Sequence, residues 1–316
     1  MNIISQFVLG AAIGSLIGAK KLGNKAVLFG GLCSLVAFLD VPLSLLFETS
    51  TAVFINGGIT HSIIFCLLAA PILGWIMHKF VGNACSVVFC SLIACGSMLA
   101  HCFADVFGMR GVGLLEPFTH RRFALSVLSD FDIVGMLPLV VAFIVSLILK
   151  ENRHKAMISW FGMFLCVVYV AFAFLNKLSV QSQFEQKLDE QSLRYSRTEV
   201  FPVSGSLFMW NCIAQDRDGF WMCYQSNLSK NDFEMNLVLR NDYYLFEMEN
   251  SPSINRMESY TKYYYSVEPK SDNVVIFNDL RFGRVGLNIG DSFKSSYTID
   301  FSNKDEVVVS PLKRNK

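Results

Sequence analysis

The sequence predicts an α-helical membrane bundle of about six transmembrane helices, followed by a small, mostly β, soluble domain. Three observations carry that prediction. Residues 1–176 hold only 17 of the chain's 53 charged side chains, although they make up more than half of its length. Within that part, apolar runs recur near the ~20 residues an α-helix needs to cross a bilayer. After residue 176 charges crowd together and short strand-like runs alternate with turn residues. The whole chain is 53% hydrophobic with a mean hydropathy of +0.41, too apolar for an ordinary soluble enzyme. Ten Lys/Arg stand against seven Asp/Glu before residue 177, and 17 against 19 after it. Neither balance suggests nucleic-acid binding.

In chain order, residues 1–19 carry no charged side chain, and Lys20, Lys21 and Lys25 follow. A cleaved signal peptide would place its basic residues before the apolar run, so a retained first helix over about 4–19 is the better reading. The second helix is expected over about 26–47 and contains Asp40 and Pro42. The third, about 59–78, contains His61 and Pro71. The fourth, about 82–104, contains His101. The fifth, about 131–149, has Asp130 and Asp132 at its start, and the sixth covers about 156–176. Proline and glycine are tolerable in a packed membrane bundle. Seven basic residues (Lys20, Lys21, Lys25, Lys79, Lys150, Arg153, Lys155) follow helices one, three and five. Only Arg110, Arg121 and Arg122 lie on the other side. That bias makes the first set cytoplasmic and turns the C-terminal domain outward.

Residues 177–199 read as a polar stalk or helical extension. Residues 200–316 read as the β domain, with strand-like runs at Ser206–Ile213, Phe220–Gln225, Tyr260–Val267, Asn273–Phe277 and Glu306–Val309. The end, Pro311–Lys316, is expected to fray. Seven of nine cysteines sit in apolar runs, where Cys acts as a small hydrophobe. Cys212 and Cys223 flank a hairpin signal, Asp216–Gly219. A two-residue loop would oppose them, and a three-residue loop would put them on opposite faces. The reading leans against a disulfide.

His101 and Asp105 are the most informative pair. At i, i+4 they share one helix face and can grip one ion or orient one another. The topology brings Asp40, His61, Asp130 and Asp132 to the same side of the membrane from other helices. Ionisable groups at membrane depth are costly and mark function. Imidazole with carboxylate suits Zn²⁺ or a similar divalent ion. Plainer readings compete. Asp130 fits a helix cap, Thr60 fits the cap beside His61, and His101–Asp105 fits a private hydrogen-bonded pair. Cys102 points about 100° round the helix from His101. Arg121 and Arg122 read as snorkelling anchors or as a clamp for an anion such as a phosphoester. Glu48 and Glu116 have no assigned role, and His120 reads as solvent-exposed.

Gly58-Ile-Thr-His-Ser62, the His101-x-x-x-Asp105 pair and Gly111-Val-Gly-Leu-Leu-Glu-Pro-Phe-Thr-His-Arg-Arg-Phe-Ala-Leu125 resemble the YdjM-like family over about residues 5–150. These are inner-membrane proteins described as metal-dependent hydrolases, and the soluble β tail resembles the YfhP-type branch. The family's Asp at the end of the second helix is matched by Asp40, and that before the fifth by Asp132. Its His-x-x-x-Asp helix resembles that of zinc-dependent phospholipases C and related nucleases. Two departures stand out. The family's His-Arg-Gly is here Asn56-Gly57-Gly58, and its Pro-Asp-x-Asp is here Ala37-Phe38-Leu39-Asp40. One ligand and one acid are thereby missing.

The expectation is a multi-pass protein of the bacterial inner membrane that uses a divalent metal, zinc before manganese or iron, to hydrolyse a small or lipid-linked anionic substrate at its outer face. His61, His101 and Asp105 would bind the ion. Asp40 and Asp132 would be further ligands or catalytic bases, and Arg121 and Arg122 would hold the substrate. The ion would lower the pKa of water to about 7. Membrane lipids are expected neighbours, nucleic acid is not, and the sequence names no protein partner for the β domain. The competing expectation is a non-catalytic membrane protein whose polar cluster stabilises the bundle and whose β domain binds a partner, with a transporter third.

Overall fold

The structure is a computed structural model. It describes residues 2–130, 132–203, 206, 208–227, 234–248, 250–286, 288, 290–302 and 307–312. The expected fraying of Pro311–Lys316 falls at residues 313–316 outside that set, as does Glu306 of the last expected strand. The helices are α1 Ile3–Leu22, α2 Asn24–Ser34, α3 Asp40–Ser44, α4 Thr49–Ile55, α5 Ile63–Val81, α6 Val87–Asp105, α7 Ile133–Ile148, α8 Asn152–Glu190 and α9 Pro252–Tyr260. The chain divides into two compact units. One comprises residues 1–42 and 56–173, the other residues 43–55 and 174–316.

The first unit is the helical bundle. Among the described residues, five helical stretches are long and apolar enough to cross a membrane: Ile3–Leu22, Asn24–Ser44, Ile63–Ala84, Val87–Asp105 and Asn152–Glu190. The fifth expected span, about 131–149, is α7 and has 16 residues. At 1.5 Å per residue it is about 24 Å long, short of a ~30 Å hydrocarbon core. The expected second helix is broken. A 3-10 turn, Leu35–Leu39, separates α2 from α3 and brings Asp40 to the start of a new helix.

Small residues bring α1 and α2 together. A Cβ on Gly14 would lie 2.2 Å from the Ala26 carbonyl oxygen, and one on Gly30 would lie 2.3 Å from that of Gly10. That closeness is how helices associate without a hydrophobic driving force. Helix α6 packs on both α1 and α5, and so sits centrally in the unit. Ser62 and Ser86 cap α5 and α6 by accepting from the Phe65 and Phe89 amides. The cap at Ser62, not Thr60, starts α5 at Ile63 and leaves His61 in a 3-10 turn, Ile59–His61, just ahead of the helix.

The second unit holds, among the described residues, two four-stranded antiparallel sheets. Strands β1 Arg197–Pro202, β2 Met209–Gln215, β3 Gly219–Ser226 and β4 Asn236–Leu239 pair in sequence order. So do β5 Tyr265–Ser271, β6 Val274–Arg284, β7 Phe293–Asp300 and β8 Val308–Pro311. The end of α8 continues the sixth apolar run and lays Val180, Phe184 and Leu188 on Val200, Trp210 and Cys212 of the first sheet.

Helix α9 ends at Tyr260, where the sequence predicts the start of a strand. Ser251-Pro252 reads as a turn, but proline at a first helical position also starts helices. Ile254, Met257 and Tyr260, three apart, form the buried face. The hairpin loop is the two-residue one, because Asp216 N donates to Gly219 O at 2.9 Å. Cys212 therefore stands directly opposite Cys223, and both are free thiols.

Candidate metal centre

The site lies where the ends of α3, α5 and α6 meet α1. His101 and Asp105, on the last turn of α6, project together as their spacing requires, with His101 Nε2 3.2 Å from Asp105 Oδ2. His61 joins them from the turn before α5. Its Nε2 lies 3.3 Å from Asp105 Oδ2 and 3.1 Å from His101 Nε2. One ligand atom from each of His61, His101 and Asp105 lies within 4.8 Å of the others. Asp40 stands behind His61, with Oδ2 3.2 Å from Nδ1. His61, His101 and Asp40 are buried, and the Asp105 side chain is 11% exposed.

Burial alone would strip charge from His61. Hydrogen bonds to Asp105 and Asp40 outweigh it and lift its pKa to about 9. An ion bound by this imidazole must displace a proton first.

Whether a divalent ion fits can be judged from the atoms left over. Among the described residues, His101 Nδ1, Asp40 Oδ1, Asn56 Oδ1 and Gln6 Oε1 are buried without a hydrogen-bond partner. Orphaned buried acceptors are rare in a finished polar network. The Nε2 atoms of His61 and His101 converging on the Asp105 carboxylate, with Asp40 Oδ1 and Gln6 Oε1 still unpartnered on the residues that touch them, form a donor set that a zinc-like ion matches.

The sequence reading missed Gln6. It lies on α1 and is fully buried, and its Nε2 donates to Asp105 Oδ1 at 2.7 Å. A single glutamine in a Gly-rich apolar run gives no signal until α1 is packed against α6. Phe38 stands where the resembling family has an acid, and its ring sets an edge against His101 at 5.0 Å.

The remaining expected residues have other partners. Asp132 lies outside the cluster. It caps α7 by accepting from the Gly135 amide at 3.0 Å, and it accepts from the Tyr169 hydroxyl at 2.7 Å. The capping expected of Asp130 is thus done by Asp132, while Asp130 accepts from Arg110 at 3.0 Å.

Arg122 braces the loop. Its Nη1 and Nη2 donate to the Asn56 carbonyl at 3.0 and 2.9 Å, and Nη1 reaches the Gly111 carbonyl at 3.2 Å. The Val112–Phe123 bridge brings it there. Gly57 permits the approach. Its φ of +71° suits glycine, and a Cβ there would lie 3.2 Å from the Gly111 oxygen. Arg121 is exposed, with its guanidinium 5.7 Å from the Phe123 ring centre. His120 is 83% exposed, as expected, with Nδ1 3.9 Å from Glu116 Oε1. Cys102 turns away from His101 to Cys66, with the sulfurs 3.6 Å apart.

Residues 1–179 match the model of the YdjM inner membrane protein family. The match spans more than half of the chain, and the chain belongs to that family. No curated protein and no solved structure matches it.

Proposed function

We propose that this YdjM-family protein is a membrane-embedded, metal-dependent hydrolase. In this reading it acts on a phosphoester or other anionic substrate, small or lipid-linked, at the outer face of the bacterial inner membrane. The observation that carries the reading is the grouping of His61, His101 and Asp105 within 4.8 Å. Their donor chemistry favours zinc, with manganese or iron as alternatives. Such an ion, when bound, supplies Lewis acidity and makes water acidic enough to attack near neutral pH.

The chain's own residues do the rest. Asp40, through Nδ1 of His61, fixes the ring so that Nε2 turns to the cluster. The unpartnered Asp40 Oδ1 is the acceptor available to take a proton. Gln6 orients Asp105. Arg121, exposed, is the guanidinium that offers its fork to an anion. Arg122 and Asp132 support it by holding the Asn56 loop and the start of α7. The outward placement of the site and of the C-terminal domain rests on the seven-to-three bias of basic residues.

A second reading has its own observation. Asp40, His61, His101, Asp105 and Gln6 already contact one another, as a polar network that only stabilises a bundle would. The β domain would then bind a partner without catalysis. Elemental analysis of detergent-purified protein after dialysis separates the two. The hydrolase reading expects close to one ion per chain, and phosphoester hydrolysis that a chelator abolishes and metal restores. Protein that stays metal-free after reloading with zinc, manganese and iron overturns it. Reporter fusions after Lys177 should be active with an exported reporter, and the reverse result moves the site to the cytoplasmic side.

A further inference from the structure

Between Asp40 and His61 the chain leaves the bundle unit and returns to it. Residues 43–55 belong to the C-terminal unit, whereas Asp40 and residues 56–61 belong to the bundle. This excursion is closed at its neck. Asp40 Oδ2 accepts from the Gly57 amide at 2.7 Å and lies 3.2 Å from His61 Nδ1. It is also gripped at its tip. Glu48 Oε1 accepts from Arg256 Nη2 at 2.7 Å, from Ser50 Oγ at 2.6 Å and from Ser253 Oγ at 3.2 Å. Arg256 Nη2 also donates to Ser50 Oγ at 3.2 Å. Val53 packs on the core that contains Ile254 and Met257, and the Phe54 ring lies 6.5 Å from that of Tyr260. The hydrogen bond from Ser50, with that from Ser253, the charge of Arg256 and the hydrogen bond from Thr51, holds the Glu48 carboxyl below its usual range against the opposing effect of burial.

A half-exposed ion pair adds little to stability. Here it does something else. Helix α4 has seven residues, too few to persist alone in water. It packs against α9 in the same unit, and the chain links it to Asp40, nine residues before its start, and to His61, six residues after its end.

We propose that Glu48 and Arg256 are positioning residues for the metal centre. By fixing the tip of the 43–55 excursion they set the spacing of Asp40 and His61, and so let the C-terminal unit tune the site's affinity for its ion. The affinity part of this inference rests on the metal-site reading.

The test uses the full chain in detergent, with two readouts. One is zinc affinity, by competition with a chromophoric chelator. The other is hydrogen exchange of amides 56–61 in metal-free protein. Arg256→Ala should weaken zinc about tenfold or more, as loss of an orienting contact does. It should also speed exchange at 56–61 while leaving strands 197–226 unchanged. Arg256→Lys and the exchange Glu48→Arg with Arg256→Glu should restore most of both. Unchanged exchange at 56–61 in Arg256→Ala overturns the proposal whether or not zinc binds, and so does zinc affinity within twofold of the parent. A parent that takes up no zinc overturns the hydrolase reading instead, and exchange then decides whether the tip governs the neck.

Discussion

Each unit buries an ionic cluster, and the two are finished differently. In the C-terminal unit Asp279 and Arg281, two apart on β6, share a sheet face and are both fully buried. Arg281 Nε donates to Oδ1 at 2.9 Å and Nη2 donates to Oδ2 at 2.7 Å, while the Tyr260 ring lies 5.0 Å from the guanidinium. One charge meets one charge through a two-pronged contact. Burial works against the Arg281 charge, yet Asp279 holds its pKa above the ordinary value. The bundle cluster sets two carboxylates against two imidazoles. It leaves His101 Nδ1, Asp40 Oδ1 and Gln6 Oε1 without partners among the described residues. A pair that satisfies itself explains a fold. A cluster with ligand atoms to spare points to something it holds.

The predictions that could break this contrast run from large to small. Removing a ligand should have the greatest effect. His61→Ala, His101→Ala and Asp105→Ala should each purify with little metal, more than about 100-fold weaker than the parent, because an outer orienting contact alone costs 10–100-fold. Their β domains should melt as in the parent. Equal metal in the parent and His101→Ala would mean that the ion, if any, is held elsewhere.

Breaking the self-contained pair should instead cost stability and no metal. Asp279→Ala strands a buried guanidinium, and an expected loss of about 3–5 kcal/mol can be followed through Trp210 and Trp221 fluorescence in denaturant. The double change Asp279→Leu with Arg281→Met should cost much less. If it costs as much, the loss comes from more than the stranded charge.

Asp40→Asn keeps the shape and removes the charge behind His61. Metal affinity should drop 10–100-fold, about 1.4–2.8 kcal/mol, and a full loss would make Asp40 a direct ligand. Asn56→His, which supplies the residue of the resembling family, should hold metal at least as well as the parent. The smallest effect belongs to Asp132→Ala. It removes the α7 cap at about 1 kcal/mol and should leave metal content untouched. Loss of metal there would bring Asp132 back among the ligands.

Much of this was legible in the sequence because it is local. A helix repeats every 3.6 residues, so His101 and Asp105 had to share a face whatever α6 packed against. The fourth span ends where expected, within a residue, because an apolar run and the polar sequence after it are properties of a short window. The shift in charge near residue 177 announced the change from bundle to sheets. The opposition of Cys212 and Cys223 was half legible, since it hung on whether the loop counted two residues or three.

What the sequence by itself determined, then, was the helical bundle, the β domain after it, and the set of polar residues from which a site could be drawn. Only the tertiary structure decided which of them meet. Gln6 reaches Asp105 because α1 packs against α6, where Gly18 meets Ile93 and Gly96 meets Ile17. Asp132 turns to Tyr169 because α8 passes beside α7. Arg122 is spent on the Asn56 carbonyl because Gly57 and Gly111 let two loops approach. Glu48 gained a role only when residues 43–55 were found with α9, more than 200 positions away. Periodicity records which way a side chain points from its own element. It carries nothing about which other element fills the space it points into, and that is set by packing across the whole chain.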